Sequence, residues 1–290
     1  MTTPESRRPT LMVVHAHPDD EASQTGGTLA RYAAAGFRTV LITCTDGGQG
    51  DGAGGAKPGH HRHDPEQVAA RRSKELALSA VALGITDLIQ LEYPDSGMAE
   101  SVDETAFSKL DGEPIVQRLE ALMHDYQPDV VVTYPPNGLS YHPDHIRTHE
   151  LTVAALARIK QVGGFEKRSR TDAASVRVVP RLYYIAVSVS RLKTLRAQAE
   201  AVLEPGAWIP PLEIGVADDT VTTAVNVSAF WAEKLRALAA HASQADAAAL
   251  LHALSVPQRQ DPVGEYVRAD PPWAGDRQED DLFTGIPGVL

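Results

Sequence analysis

Two short stretches, "HAHPDDE" (residues 15–21) and "YHPDH" (residues 141–145), concentrate the side chains able to bind a metal or move a proton. The first packs five ionisable groups into seven residues. Each contains His-Pro-Asp, in which proline fixes the backbone and sends the neighbouring side chains off in set directions. Imidazoles with a carboxylate make a three-ligand site that keeps a position open for water, the donor set of catalytic zinc. His17, Asp20 and His145 are the expected ligands. That leaves Asp19 free beside the metal, able to accept a proton from water. His142, three residues before His145, lies one turn away if a helix begins there, and Asp144 is expected to hold its ring in one orientation. The competing explanation has Asp19 and Asp20 cap a helix starting at Glu21, with the histidines as polar loop residues. It accounts for one stretch but not for both together.

The elements around these stretches predict how they meet. Leu11–His15 reads as a buried strand, 21–36 as a helix closed near Gly36, and "RTVLITCT" (38–45) as a second strand. A helix over 65–84, a strand "DLIQLEY" (87–93), a helix over 114–126 and a strand "DVVVTY" (129–134) follow. Strand–helix–strand succession with short connections argues for parallel βαβ units, an α/β fold with a Rossmann-like, mostly parallel sheet flanked by helices. In such sheets sites form beyond the carboxyl ends of the strands, where the strand order reverses. "HAHPDDE" and "YHPDH" both follow strands, so loops more than a hundred residues apart are expected to meet. "HPDHIRTHELTVAALARI" (142–159) reads as the entry into a further helix. The Gly-rich stretch 46–65 is long for a connection and reads as a mobile loop or lid.

Beyond residue 163 the pattern weakens: a loop over 163–175, a strand in "RLYYIAVSV" (181–189) and a helix over 227–244. The tail from Pro257 is rich in proline and acidic residues, with "DLFTGIPGVL" as an apolar end that docks on the body. With no internal repeat and no clear linker, residues 1–290 read as one domain: a core over about 10–190 and a C-terminal elaboration over about 191–290.

Several other residues invite chemistry and are given lesser roles. His60, His61 and His63 suggest a second metal site but lack a nearby carboxylate-rich strand end. His15, two residues before His17 and on the same side of a strand, reads as a buried hydrogen-bonded histidine rather than a fourth ligand. His241 and Gln244 lie one turn apart on a helix, with reach into the pocket and packing as equal alternatives. "EKRSR" (166–170) reads as a solvated loop, and Gly26–Gly27 lack dinucleotide-site spacing. Cys44, in the apolar run "TVLITC", reads as a buried inert thiol.

Composition narrows the partners. The net charge of −11 disfavours nucleic-acid phosphate. The lone cysteine forms no intrachain disulfide, and no stretch approaches the ~20 apolar residues of a membrane span. A cytoplasmic protein acting on a small molecule is the reading, with neither nucleic acid nor membrane as partner; a homo-oligomer is compatible with it.

"AHPDDE" with a later "HPDH" resembles the PIG-L/LmbE family of zinc-dependent N-deacetylases, and "VHAHPDDE" and "HPDHIRTH" are similar to its actinobacterial mycothiol branch of deacetylases and amidases. The order of elements matches over roughly the first 190 residues, with weaker similarity in "LRALAAHASQ" and "DLFTGI". The resemblance implies zinc, or Fe(II), held by His17, Asp20 and His145, and Asp19 as general base. It implies that His142, oriented by Asp144, stabilises the oxyanion in protonated form or protonates the leaving amine. Arg72 in "RSKEL" and Asp95 in "DSGM" match positions that contact sugar hydroxyls, and Tyr141 joins them as a substrate-side residue. The chain departs from the mycothiol branch at Gly48–Gln49, where acidic residues are expected, and at Ser140, where the branch has tyrosine.

The implied activity is removal of an acetyl or other acyl group from the nitrogen of an N-acetylglucosamine-type substrate, such as a GlcNAc-inositol. The alternative within the class is an amidase cleaving a larger amide, such as a mycothiol S-conjugate. Outside it stand a non-haem Fe(II) oxygenase, which uses two histidines and one carboxylate, and a non-catalytic sugar-binding module.

Overall fold

The computed structural model describes residues 8–98, 102–168, 175–204, 209–256 and 262–286. In chain order the elements are β1 (Thr10–His15), α1 (Gly26–Ala34), β2 (Arg38–Thr45), α2 (Pro65–Leu83), β3 (Asp87–Tyr93), α3 (Gly112–Tyr126), β4 (Val130–Thr133) and α4 (Pro143–Gln161). There follow β5 (Phe165–Arg168), β6 (Ser175–Val178), β7 (Arg181–Ala186), α5 (Val189–Val202), β8 (Thr223–Asn226), α6 (Trp231–Ala240), α7 (Ala245–Leu254) and β9 (Val263–Asp270).

β1 is buried at every residue, and its side chains alternate between two cores. Leu11 and Val13 join the core shared with Leu29, Leu76 and Leu238, while Met12 and Val14 join the one shared with Leu119 and Leu151. A strand covered on both faces needs an unbroken apolar run, which is what "LMVV" supplies. Seven strands form one sheet in the order β3-β2-β1-β4-β7-β9-β8. β3, β2, β1, β4 and β7 pair in parallel; β9 runs antiparallel between β7 and β8. The chain builds outward from β1 to β3 and then returns to the other flank of β1 with β4. The strand order therefore reverses between β1 and β4, and a crevice opens beyond their carboxyl ends.

The expected core strands and helices are present, with differences at the margins. The helix expected over 21–36 begins as a π-helical turn, Glu21–Thr25, before α1. The stretch read as a loop over 163–175 contributes β5 and pairs with β6; residues 169–174 lie outside the described residues. Part of "EKRSR" falls there too. β8, β9, α5 and α7 have no counterpart in the sequence reading. β8 and β9 extend the main sheet, so the C-terminal elaboration is built onto the same sheet as the core. The described part of the apolar end docks as expected, residues 287–290 lying outside the described residues: Leu282 and Phe283 are buried, the Leu282 N–H donates to Tyr32 Oη (2.8 Å), and the Phe283 ring meets that of Phe37.

The stretch 46–65, read as a mobile loop or lid, is tied to the turn before α7. The Asp51 N–H donates to Gln244 Oε1 (2.9 Å), Asp51 Oδ2 accepts the Ala245 N–H (3.1 Å), and Lys57 Nζ lies 2.6 Å from Asp51 Oδ1.

Candidate active site

The turn after β1 and the start of α4 bring three acceptor atoms together at the crevice. His17 Nδ1 lies 3.1 Å from His145 Nε2, and Asp20 Oδ2 lies 3.4 Å from each of them. Hydrogen bonds on the far side of each ring assign the tautomers. His17 Nε2 faces Asp144 Oδ2 at 3.2 Å, so it carries the proton and leaves Nδ1 a lone pair. His145 Nδ1 donates to the Gly138 carbonyl at 3.0 Å, which frees Nε2. Asp20 Oδ2 accepts the His17 N–H (2.8 Å) and the Tyr134 hydroxyl (2.6 Å), while Oδ1 accepts Gln24 Nε2–H (2.7 Å).

Three acceptor atoms thus converge, an arrangement that needs positive charge at its centre, from a proton on His17 or from a metal cation. The edges of the triangle match the spacing of about 3.3–3.4 Å between ligands held 2.0–2.1 Å from a tetrahedral zinc. Electrostatics agree. Burial works to lower the His17 pKa, yet Asp95, Asp144 and Asp20 hold it well above the ordinary histidine range. Burial works to raise the Asp20 carboxyl, yet His145 and His17 hold it well below the usual carboxylate range. The site favours positive charge, which a divalent metal held there would supply.

Two other groupings compete for such an ion: His17 with His142 and His145, and His17 with Asp95, His142 and Asp144, each with ligand atoms within 4.8 Å of one another. The set with Asp20 has edges of 3.1, 3.4 and 3.4 Å. It also leaves His142 and Asp144 free for the hydrogen bonds they already make.

Tyr134, at the end of β4, had no place in the sequence reading, yet it touches both stretches. Its hydroxyl donates to Asp20, accepts the Ala16 N–H (2.8 Å) and lies 3.1 Å from His15 Nδ1, and its ring stacks on His145 with centroids 4.2 Å apart. His15 is fully buried, bonded also to Thr25 Oγ1 (2.9 Å), and burial lowers its pKa to about 4. It is the hydrogen-bonded core histidine the sequence suggested.

Asp19 occupies a left-handed backbone conformation, φ 100°, that non-glycine residues rarely adopt. Three contacts hold it there. Its carbonyl accepts the N–H groups of Ala22 (3.1 Å) and Ser23 (2.9 Å), and its own N–H donates to Glu21 Oε2 (3.0 Å). Glu21 Oε1 in turn accepts from Ser79 Oγ and lies 2.7 Å from His241 Nε2, with Glu21 and His241 wholly buried. His241 therefore reaches the site from the C-terminal part through Glu21, and Gln244 lines the pocket while bonding Asp51. The Asp19 carboxylate accepts from Arg72 Nη2 (2.8 Å); burial raises its pKa to about 6 against the pull of that guanidinium.

Two expectations about neighbouring residues are corrected. Asp144 does not orient His142 through its carboxylate. His142 is the N-cap of α4, so its Nδ1 accepts the Asp144 backbone N–H (3.2 Å), while the Asp144 carboxylate crosses to His17 and is fixed by the Ser96 N–H (2.9 Å) and hydroxyl. Nor does His142 arrive protonated. Burial, with His17 and His145 beside it, lowers its pKa to about 2. Since Nδ1 accepts, the neutral ring carries its proton on Nε2.

The pocket over these residues has a volume of about 440 Å³ and is lined by Asp19, His142, Arg72, Asp95, Gln49 and Lys57 among others. Arg72 is buried, and its guanidinium donates to Pro18 O, Gly47 O and Asp19, so it is committed to the protein. Asp95 lies 3.5 Å from His17 Nε2; burial raises its pKa, but His17 pulls it below the usual range. Tyr141 is not brought in: it is 58% exposed and absent from the pocket wall. His60 and His61 are exposed and His63 bonds Gly50 O (2.9 Å); among the described residues they form no metal-holding group. Burial pushes the Cys44 thiol up to about 12, as an inert core cysteine requires.

Residues 12–156 match the family model PIG-L, GlcNAc-PI de-N-acetylase. The chain belongs to this family. Its similarity to characterised-by-name relatives runs almost end to end. It is 37% identical to the 1D-myo-inositol 2-acetamido-2-deoxy-alpha-D-glucopyranoside deacetylase of Actinosynnema mirum, over 97% of this chain and 98% of that one. To the deacetylase of the same name from Mycobacteroides abscessus it is 35% identical, over 95% and 98%. Among solved structures, N,N'-diacetylchitobiose deacetylase from Pyrococcus horikoshii superposes with a TM-score of 0.55 at 19% identity, over 97% of this chain and 87% of that one. The 4-carboxy-2-hydroxymuconate hydratase GalB of Pseudomonas putida also reaches 0.55, at 17% identity over 89% and 94%. These two show that the PIG-L chain shares their fold. That a hydratase shares it leaves function to the site.

Proposed function

We propose that the protein is a metal-dependent N-deacetylase that hydrolyses the secondary amide of an N-acetylglucosamine-type substrate, a GlcNAc-inositol first among them, with zinc as the metal and Fe(II) as the alternative. The observation that carries this is the His17–Asp20–His145 triangle with the carboxylate of Asp19 unspent in the same pocket. The names of the actinobacterial relatives support the inositol substrate.

Held by His17, Asp20 and His145, a divalent cation supplies a Lewis acid that polarises the amide carbonyl and acidifies water. Asp19, aimed by its strained backbone and by Arg72, takes a proton from the attacking water. His142 offers Nε2–H to the carbonyl oxygen as it gains negative charge. The C–N bond breaks as Asp19 returns the proton to the departing nitrogen, so R–CO–NH–R′ and water yield R–COO⁻ and R′–NH₃⁺. Asp95 is the substrate-side carboxylate for sugar hydroxyls, while Arg72 holds the base. Neither rival class gains support. The family is hydrolytic rather than oxygen-using, and a mere binding module has no need of the complete ligand set and base. The reading includes a single domain, whose sheet β8 and β9 complete, and a cytoplasmic site of action. No helix among the described residues is long and apolar enough to cross a membrane.

Asp19→Asn is the test. The variant is expected to bind one metal per chain and lose turnover by about 10²–10⁴. Near-normal primary-amine release from the metal-loaded variant overturns the base assignment.

A further inference from the structure

A second cavity, with a volume of about 290 Å³, lies beside the catalytic pocket. The two share Asp19 and Asp246, so the cavity begins beside the base. Apart from Asp19, Ser23 and Asp246, every described residue on its wall is apolar, including Ala199 of α5, Leu238 of α6 and Ala247, Ala249 and Leu250 of α7.

This inference rests on the amide-hydrolase reading above. An amide carries two arms, one on carbon and one on nitrogen, and its carbonyl carbon must lie within reach of Asp19. The two spaces that meet at Asp19 differ in chemistry. The catalytic pocket presents Gln49, Asp51, Lys57 and Asp95, partners for a polyhydroxylated amine. Among the described residues the second cavity presents only alanine, leucine and proline beyond its polar edge. A sugar hydroxyl buried there would lack a partner, whereas an acyl chain needs none. Size points the same way, because an apolar cavity of ~150 Å³ already holds benzene, far more than an acetyl methyl.

We propose that the cavity is an acyl site, and that the substrates include amino sugars N-acylated with an apolar group longer than acetyl, up to about the size of hexanoyl. Each methylene transferred from water into such a wall is worth up to about fourfold in kcat/KM.

The experiment measures primary-amine release by the intact, metal-loaded chain from N-acetyl-, N-butyryl- and N-hexanoyl-glucosamine, which share one amine arm. The expected result is a kcat/KM that rises from acetyl to hexanoyl by about tenfold or more. A fall of that size with acyl length, acetyl remaining a substrate, overturns the acyl site and leaves the deacetylase reading standing. No amine from any member overturns both. In Ala249→Phe, which fills the cavity, the hexanoyl-to-acetyl ratio is expected to collapse by about tenfold. Because a ratio within one preparation cancels losses of folded enzyme, an unchanged ratio overturns the proposal.

Discussion

Replacing Glu21 by glutamine tests how the base is aimed. The Glu21 carboxylate accepts from the Asp19 N–H and from Ser79, and pairs with His241, with no exposure to solvent. Glutamine keeps the size but turns one of the two oxygens into a donor. Either the Asp19 N–H or the Ser79–His241 pair then faces an NH₂ group. A lost buried hydrogen bond costs ~1–3 kcal/mol, and total stabilities run to ~5–15 kcal/mol, so the chain still folds. The consequence for Asp19 is sharper. Its left-handed backbone carries ~1–3 kcal/mol of strain that persists only while its partners enforce it. Released, the carboxylate shifts, and a displacement of ~1 Å costs about 10² in rate. Glu21→Gln is therefore expected to lower kcat about 100-fold, with KM and metal content close to wild type. Amine-release kinetics with metal analysis and a thermal melt on the same sample decide it. A kcat within threefold of wild type refutes the positioning argument. Loss of metal in proportion to activity shows instead that Glu21 acts through Asp20.

Two further outcomes follow from the same geometry. Asp144→Asn still offers an oxygen to His17 Nε2–H but loses the charge that strengthens it, so metal affinity is expected to fall ~10–100-fold in a chelator competition; unchanged affinity contradicts the His17 tautomer. Lys234 is buried, with Nζ on the carbonyls of Ala22 and Ser23, and burial, with Arg191 adding to it, lowers its pKa to about 7. The unfolded chain therefore binds more protons than the folded one from about pH 7 to 10, and this group makes stability rise with pH there by up to ~1.4 kcal/mol per unit. Lys234→Met removes that slope, so urea titrations at pH 7.5 and 9 should show its stability relative to wild type falling as pH rises; parallel profiles mean that Lys234 keeps its proton in the folded chain and contradict the lowered pKa.

How much could be seen in the sequence depended on range. β1, β2 and β4 were legible because a strand buried on both faces must be an unbroken apolar run. β8, four residues long, and β9, half-buried except at Tyr266, carry no such signal. His17, Asp19, Asp20 and His145 announced themselves by donor type and by prolines that fix their directions. The groups that orient them did not. Tyr134 reads as the end of a strand, and its bond to Asp20 spans 114 residues. The Glu21–His241 pair spans 220, so nothing local marks it. The misreading of Asp144 has a local cause: neighbours in sequence were assumed to be partners, whereas the helix start sends His142 to a backbone N–H and Asp144 across to His17 in the turn after β1.

Anomalous scattering from crystals of the metal-loaded protein decides which residues hold the metal. One strong peak is expected about 2.0–2.2 Å from His17 Nδ1, Asp20 Oδ2 and His145 Nε2. A peak bonded to His142 with Asp20 left free, or active crystals with no peak at all, would contradict that ligand set.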